Sequence, residues 1–278
     1  MSTKRRFSLS TTHWIMLSFL FVVAIGTLLL WLPISTKSGE SVAFVDALFT
    51  ATTATCVTGL VTLPTHATWS VFGQIVILLL IQIGGLGLIT IMGAFSLLLR
   101  RKMGLADRML LRDAFNLNTL SEIGHFVRRV VLGALIVEGA GALLYMIVFI
   151  PDYGWRGIWL SVFTAVSAFC NAGIDLFGDV SLSAYATHPL VNAITIALIV
   201  TGGIGFVVWW DVLRVVQFIG KRTRPLSYLS LQSKITLTCT AVLLTVGFAA
   251  FLTFEWNNPE TLGAYSLFDK IQMALFQS

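Results

Sequence analysis

Residues 48–59 read LFTATTATCVTG and residues 162–173 read VFTAVSAFCNAG, and the two segments align without a gap, 114 residues apart. Phe-Thr-Ala at the second to fourth positions, a cysteine and a final glycine coincide in the two copies. A second match follows each segment, because GGLG at 84–87 recurs as GGIG at 202–205. Two matches in the same order indicate an internal repeat. Glycines let membrane helices approach closely, and we expect that role for both glycine runs.

The composition of the chain places this repeat in a membrane. Of 278 residues, 56% are hydrophobic and 11% are charged, and the mean hydropathy is +0.88. A soluble domain carries about 25% charged residues, so this chain lacks the polar surface of a soluble protein. Because a helix satisfies its own backbone hydrogen bonds in lipid, we expect an all-α membrane protein.

Apolar segments of two lengths alternate along the chain. A spanning helix needs about 20 mostly apolar residues, and five segments meet that length: 14–33, 71–99, 130–150, 188–216 and 233–254. Three shorter segments each follow a predicted span: 42–55, 156–169 and 264–277. At about 1.5 Å per residue, a short segment enters a hydrocarbon core of about 30 Å without crossing it. The predicted repeat is therefore a spanning helix, a short re-entrant pore helix with a glycine-ended loop, and a second spanning helix (M1–P–M2), with the repeats arranged around a pore.

The distribution of positive charge supports the re-entrant interpretation. Fifteen of the 18 Lys and Arg residues lie in three segments, 4–6, 100–129 and 214–234. These segments share one side of the membrane only if the short helices re-enter rather than cross. Positively charged loops favour the cytoplasm. We therefore expect a cytoplasmic amino terminus and glycine-ended loops that open on the outer face.

The repeat divides the chain into a first unit at 1–104, a cytoplasmic amphipathic linker at 105–129, a second unit at 130–219 and an incomplete third unit at 220–278. The linker has amphipathic helical spacing and a capping box at Thr119 and Glu122. It fits either a helix on the lipid headgroups or a docking surface for a cytoplasmic partner.

The third unit begins like the first two. ALFQS at 274–278 aligns with ALFTA at 47–51, inside the pore helix. A pore helix without its loop and return span leaves backbone groups unpaired in the bilayer. We therefore expect this sequence to be the amino-terminal part of a longer protein.

The glycine-ended loops are the predicted ion site. A pore helix directs the negative end of its dipole into the membrane, and unpaired carbonyls at that depth must line water or an ion. Glycine permits the backbone conformations that point successive carbonyls the same way, and rings of carbonyls replace the hydration shell of a cation such as potassium. The predicted selectivity filter consists of two segments: Cys56, Val57, Thr58 and Gly59, and Cys170, Asn171, Ala172 and Gly173.

Several candidate residues also have a plainer interpretation. Threonines are common in helix packing, but Thr58 precedes the aligned glycine and is favoured as a filter residue. Cys56 and Cys170 fit small buried apolar side chains rather than redox groups. Asp175 either draws cations to the outer mouth or is an ordinary solvated acid. Glu138 is the one acid well inside a predicted span, which makes it a functional candidate with no partner identifiable from the sequence.

Three motifs carry a family resemblance: TATTATCVTGL at 50–60, IQIGGLGLITI at 81–91 and FCNAGIDLFGD at 169–179. Together they resemble the TrkH/TrkG/KtrB superfamily of potassium-uptake proteins over nearly the whole chain. The resemblance implies four M1–P–M2 units around one pore, with Gly59 and Gly173 matching the first two filter glycines. The first span leads straight into a pore helix, which is more similar to the KtrB branch than to TrkH.

The resemblance also implies where the protein works and with what. It implies a bacterial plasma-membrane homodimer, which takes up potassium and binds a cytoplasmic nucleotide-binding regulatory subunit (KtrA- or TrkA-like). No cofactor, no nucleic acid and no metal beyond the transported potassium are expected.

Two other classes of protein compete with this interpretation. A secondary transporter with a midplane site formed by broken helices typically has inverted repeats, whereas these repeats run in one direction. An enzyme needs a nucleophile with its base, a histidine–carboxylate cluster or a nucleotide loop. The sequence contains none of these, so we expect no enzymatic activity.

Overall fold

The computed structural model describes residues 11–87, 90, 123–178, 181–216 and 229–278. Within these ranges the regular structure is helical, apart from one isolated bridge between Thr36 and Trp69. The prediction of an all-α fold is confirmed.

The chain forms two compact units, of which the first comprises Met1–Ile136 and Ala172–Ile174. Its first described helices are α1 (Thr11–Trp31), α2 (Phe44–Cys56), α3 (Thr65–Thr68) and α4 (Val71–Leu86). The helices α1, α2 and α4 pack against one another, so the short α2 contacts both of the longer apolar helices.

The second unit comprises Val137–Asn171 and Asp175–Ser278. In the described residues after Leu86 the α-helices are α5 (Ile123–Tyr153), α6 (Arg156–Phe169), α7 (Pro189–Gly203), α8 (Phe206–Val216), α9 (Leu231–Glu255) and α10 (Leu267–Gln277). The short α6 packs on α7, and α10 packs on α7 and α9.

The internal repeat is visible in how the second predicted spanning helix of each M1–P–M2 unit begins. The Ser70 hydroxyl accepts a hydrogen bond from the Gly73 N–H at the start of α4. At the aligned positions, His188 Nδ1 accepts one from the Val191 N–H at the start of α7. Each cap pairs an N–H group that the helix itself leaves unbonded.

The contact between the two predicted spanning helices of each M1–P–M2 unit repeats as well. In the first unit, Gly26 of α1 leaves room for the Leu80 side chain of α4. In the second unit, Gly141 of α5 does the same for Leu198 of α7. A Cβ at either glycine would lie within 3 Å of the leucine methyl groups, which explains why these positions are glycine.

The helix limits agree closely with the predicted short segments and less closely with the long ones. The helix α6 coincides with the predicted segment 156–169, and α2 differs from the predicted 42–55 by two residues at its start and one at its end. The third predicted span, 130–150, lies inside the longer α5. The capping box at Thr119 and Glu122, and most of the linker 105–129, lie outside the described residues.

The fourth predicted span, 188–216, is not one continuous helix. It breaks into α7 and α8, which meet at 103°. Gly205 lies at this break with φ of +86°, and the aligned Gly87 follows α4 with φ of +80°. A positive φ is incompatible with a right-handed helix, so these glycines end helices rather than bring helices together.

By length and composition, two helical segments in the described residues can cross a membrane: His125–Tyr153 and Leu231–Glu255. A third appears if α7 and α8 count as one broken span. Two shorter apolar helices, Met16–Trp31 and Val71–Leu86, correspond to the first two predicted spans.

Candidate ion-selectivity loops

The first loop follows directly from the carboxyl end of the pore helix α2. Val57 caps this helix in the left-handed conformation, with φ of 57° and ψ of 46°. Gly59 also has a positive φ, of 77°, whereas Thr58 between them does not. Left-handed backbone is rare for a β-branched residue such as Val57, so the surrounding contacts must impose it.

Thr53 of α2 supplies those contacts. Its hydroxyl lies 2.5 Å from the Thr58 hydroxyl and accepts a hydrogen bond of 3.1 Å from the Leu60 N–H. Its carbonyl accepts the Thr58 N–H at 3.0 Å. One residue of the pore helix therefore holds both sides of the loop.

The second loop has the same backbone pattern at the aligned positions. After α6, Asn171 has φ of 57° and Gly173 has φ of 66°, whereas Ala172 is not positive. The sign of φ therefore changes in the same order along both predicted filter segments.

The two loops approach each other within the first compact unit, to which Ala172–Ile174 belongs. A Cβ placed at Gly59 would lie 2.7 Å from the Ala172 carbonyl oxygen, and a Cβ at Gly173 would lie 3.6 Å from Gly59 Cα. The structure thus brings the two predicted filter glycines together.

The carboxyl end of each pore helix packs closely against a glycine of the following spanning helix, α4 or α7. In the first unit, a Cβ at Gly84 would overlap the Thr55 carbonyl oxygen. In the second, a Cβ at Gly202 would overlap the carbonyl oxygen of Phe169, the residue aligned with Thr55. Within each run, Gly84 and Gly202 therefore provide the close approach that the sequence predicts.

The eight predicted filter residues differ in exposure between the loops. In the first loop Cys56 and Thr58 are exposed, and Val57 and Gly59 are half-buried. In the second, Cys170 and Ala172 are buried, and Asn171 and Gly173 are exposed.

Asp175 is half-buried and organises the segment that follows the second loop. Its Oδ1 accepts a 2.9 Å hydrogen bond from the Phe177 N–H, and its Oδ2 accepts one from the Ser181 hydroxyl. These bonds hold the carboxylate two residues beyond Gly173.

Glu138 has a partner that sequence reasoning did not identify. Its side chain is 4% exposed, and its Oε1 lies 4.0 Å from the Sγ of the buried Cys170. Thr53 thus bonds to the first loop from outside the filter segments, and Glu138 contacts the first residue of the second segment. The spacing of Thr53 from Thr58 in the sequence could have indicated their contact. No sequence pattern indicates the contact of Glu138 with Cys170.

Known proteins resemble the chain along nearly all of its length. A family model described as "TrkH: Cation transport protein" matches residues 2–277. The potassium/sodium uptake protein NtpJ of Enterococcus hirae is 39% identical, covering 99% of this chain and 63% of its own length. The Ktr system potassium uptake protein B of Bacillus subtilis is 39% identical, covering 94% of this chain and 57% of its own length.

A protein of the same name from Vibrio alginolyticus is 34% identical, covering 95% of this chain and 56% of its own length. The chain therefore spans less than two thirds of the length of these relatives.

Proposed function

We propose that this chain, which belongs to the TrkH family of cation transport proteins, forms part of a pore for potassium uptake across a bacterial plasma membrane. The observation that carries the proposal is the repeated backbone of the two loops, with positive φ at Val57 and Gly59 and again at Asn171 and Gly173. The potassium uptake proteins among its relatives support this choice of ion.

The proposed mechanism uses the backbone rather than charged side chains. The carboxyl ends of α2 and α6 lead into the loops, and each contributes a partial negative charge of about half an elementary charge. A potassium ion that sheds its water is then coordinated by loop carbonyls. We assign the selectivity role to the two predicted filter segments, 56–59 and 170–173.

Selectivity in this proposal depends on a loop that does not adapt to a smaller ion. Thr53 fixes the first loop through Thr58 and Leu60. The close contacts of Gly84 and Gly202 with the ends of the pore helices fix the depth of each pore helix. A loop held at several points keeps its carbonyls at one spacing, which favours one ion size over another.

Asp175 is assigned to the outer mouth. A carboxylate two residues beyond Gly173 raises the local cation concentration. Its hydrogen bonds to Phe177 and Ser181 keep it in place. Its contribution is to capture rather than to selectivity, since a carboxylate in an aqueous mouth attracts sodium as well.

The proposed setting follows from charge and relatives. The basic segments favour a cytoplasmic amino terminus. The names of the Ktr relatives favour a multi-subunit system, in which we place a homodimer of this protein with a cytoplasmic nucleotide-binding subunit.

The experiment is growth and uptake in bacteria that lack their own potassium uptake systems. The protein, expressed from its complete gene, should restore growth at low potassium and give potassium uptake that excess sodium inhibits weakly. No restored growth or uptake despite normal abundance in the membrane would refute the proposal. Uptake of an unrelated solute with no potassium transport would favour a secondary transporter with broken helices.

A further inference from the structure

The structure places a buried carboxylate next to Cys170, the first residue of the second predicted filter segment. Glu138 lies on α5 and is 4% exposed, and Cys170 is 7% exposed. Cys170 is the first residue after α6 and directly precedes the left-handed Asn171. The thiol is positioned to donate a hydrogen bond to the carboxylate at 4.0 Å, so Glu138 contacts the residue from which the loop departs.

The first loop is supported differently. There the hydroxyl of Thr53, on the pore helix, pairs with the hydroxyl of Thr58, in the loop. The residue aligned with Thr58 is Ala172, which has no hydroxyl, so this side-chain bond has no counterpart in the second loop. The residue aligned with Glu138 is Val23, when the repeated Gly26 and Gly141 contacts are superimposed.

Helix stability alone does not explain an acid at this place. Burying a carboxyl group is costly unless it is hydrogen-bonded. The carboxyl end of a helix is also its negative pole, which disfavours a neighbouring acid. Glu138 therefore stands where packing alone would favour an apolar side chain such as the Val23 of the first unit.

We propose that Glu138 is a positioning residue for the second selectivity loop, which it holds through Cys170. This inference rests on the proposed function, because it concerns the same loops. The two loops are then fixed by different elements: the first by its own pore helix, and the second by the preceding spanning helix. Glu138 touches no transported ion in this role and acts on the loop through the Cys170 side chain.

The test compares Glu138→Ala, Glu138→Gln and Cys170→Ala in the protein expressed from its complete gene. Potassium uptake is measured against potassium concentration, with and without sodium. Glu138→Ala should raise the half-saturating potassium concentration and lower the preference for potassium over sodium. The expected change is about twofold to tenfold, the range for one hydrogen bond. Glu138→Gln keeps an acceptor oxygen and should restore most of the selectivity.

A double substitution tests whether the effect passes through the thiol. Cys170→Ala should lower selectivity by itself, and adding Glu138→Ala should change it little further. Tyr145→Phe is the matched control, because it removes another buried hydrogen bond of α5, the 2.6 Å bond to Thr195 on α7. This control should leave the half-saturating concentration and the ion preference unchanged.

The outcomes separate the two proposals. A wild-type protein that does not take up potassium overturns the proposed function. A selective wild-type protein whose preference is unchanged in Glu138→Ala and Cys170→Ala overturns this inference alone. If Glu138→Ala does not reach the membrane, Glu138→Val, which carries the residue found at the aligned position of the first unit, replaces it in the test. Reduced selectivity of Glu138→Val at normal abundance supports the inference, and unchanged selectivity overturns it.

Discussion

Replacing Gly84 or Gly202 with alanine puts a methyl group where the carbonyl oxygen at the end of a pore helix now lies. The obstructing atom is backbone, so it cannot rotate away as a side chain would. Relief requires α2 or α6 to shift, and each shift moves the loop attached to that helix. We therefore expect both substitutions to reduce stability and ion selectivity together.

The magnitude follows from two opposing terms. Overpacking a well-packed interior costs about 1–3 kcal/mol of folding stability. Because the neighbouring atom is rigid backbone, we expect a cost of about 3 kcal/mol at these sites. Alanine in place of glycine inside a helix returns about 1 kcal/mol. The net loss is about 2 kcal/mol, or roughly a thirtyfold change in the ratio of folded to unfolded protein.

Gly139→Ala is the matched control, because Gly139 lies within α5 and a Cβ added there would have no heavy atom within 4 Å. It should retain or slightly raise stability. Thermal unfolding of the purified protein in detergent measures the first effect, and potassium uptake at equal abundance measures the second. If Gly84→Ala and Gly202→Ala both match the stability and uptake of Gly139→Ala, the close approach of pore helix and second helix is wrong.

Three other substitutions test individual contacts. Thr53→Val removes the hydroxyl that holds the first loop and should lower potassium-over-sodium uptake, whereas Thr52→Val, which alters an exposed hydroxyl, should not; equal selectivity in the two would contradict this role. Val57→Asn should raise the free energy of unfolding by up to about 1 kcal/mol, because asparagine tolerates left-handed backbone. The thermal midpoint should then rise, and a lower midpoint would contradict this expectation. Asp211→Ala should lose about 1–3 kcal/mol of stability in thermal unfolding, because Asp211 accepts the Ser230 N–H at 2.8 Å; no change would refute this.

The sequence was sufficient for the elements whose signals are local. The length of an apolar run separates a spanning helix from a pore helix, and so α6 begins and ends where the pattern predicts. The gap-free alignment of the two loops likewise identified Gly59 and Gly173 as equivalent positions, and the structure gives both a positive φ. Their assignment as filter residues stays a prediction until transport is measured.

Other features depend on contacts that no local pattern encodes. A glycine in an apolar run is equally compatible with close packing, as at Gly202, and with a helix break, as at Gly205. Only the three-dimensional neighbours distinguish the two roles. The left-handed Val57 was also unforeseen, since valine favours extended backbone, and its conformation is imposed by the loop. The contact of Glu138 with Cys170 joins residues that are 32 positions apart in sequence.

The ratio of potassium to sodium uptake in Gly59→Ala tests the central claim most directly. Alanine there must adopt a φ of 77° and place its Cβ 2.7 Å from the Ala172 carbonyl oxygen, so the two loops cannot keep their spacing. Gly154→Ala controls for backbone strain, since Gly154 has φ of 59° but a Cβ added there would have no heavy atom within 4 Å. We predict that Gly59→Ala lowers the ratio at least about tenfold, which corresponds to about 1.4 kcal/mol, while Gly154→Ala leaves it unchanged. An unchanged ratio in Gly59→Ala, at normal abundance in the membrane, would contradict the claim that these loops select the ion.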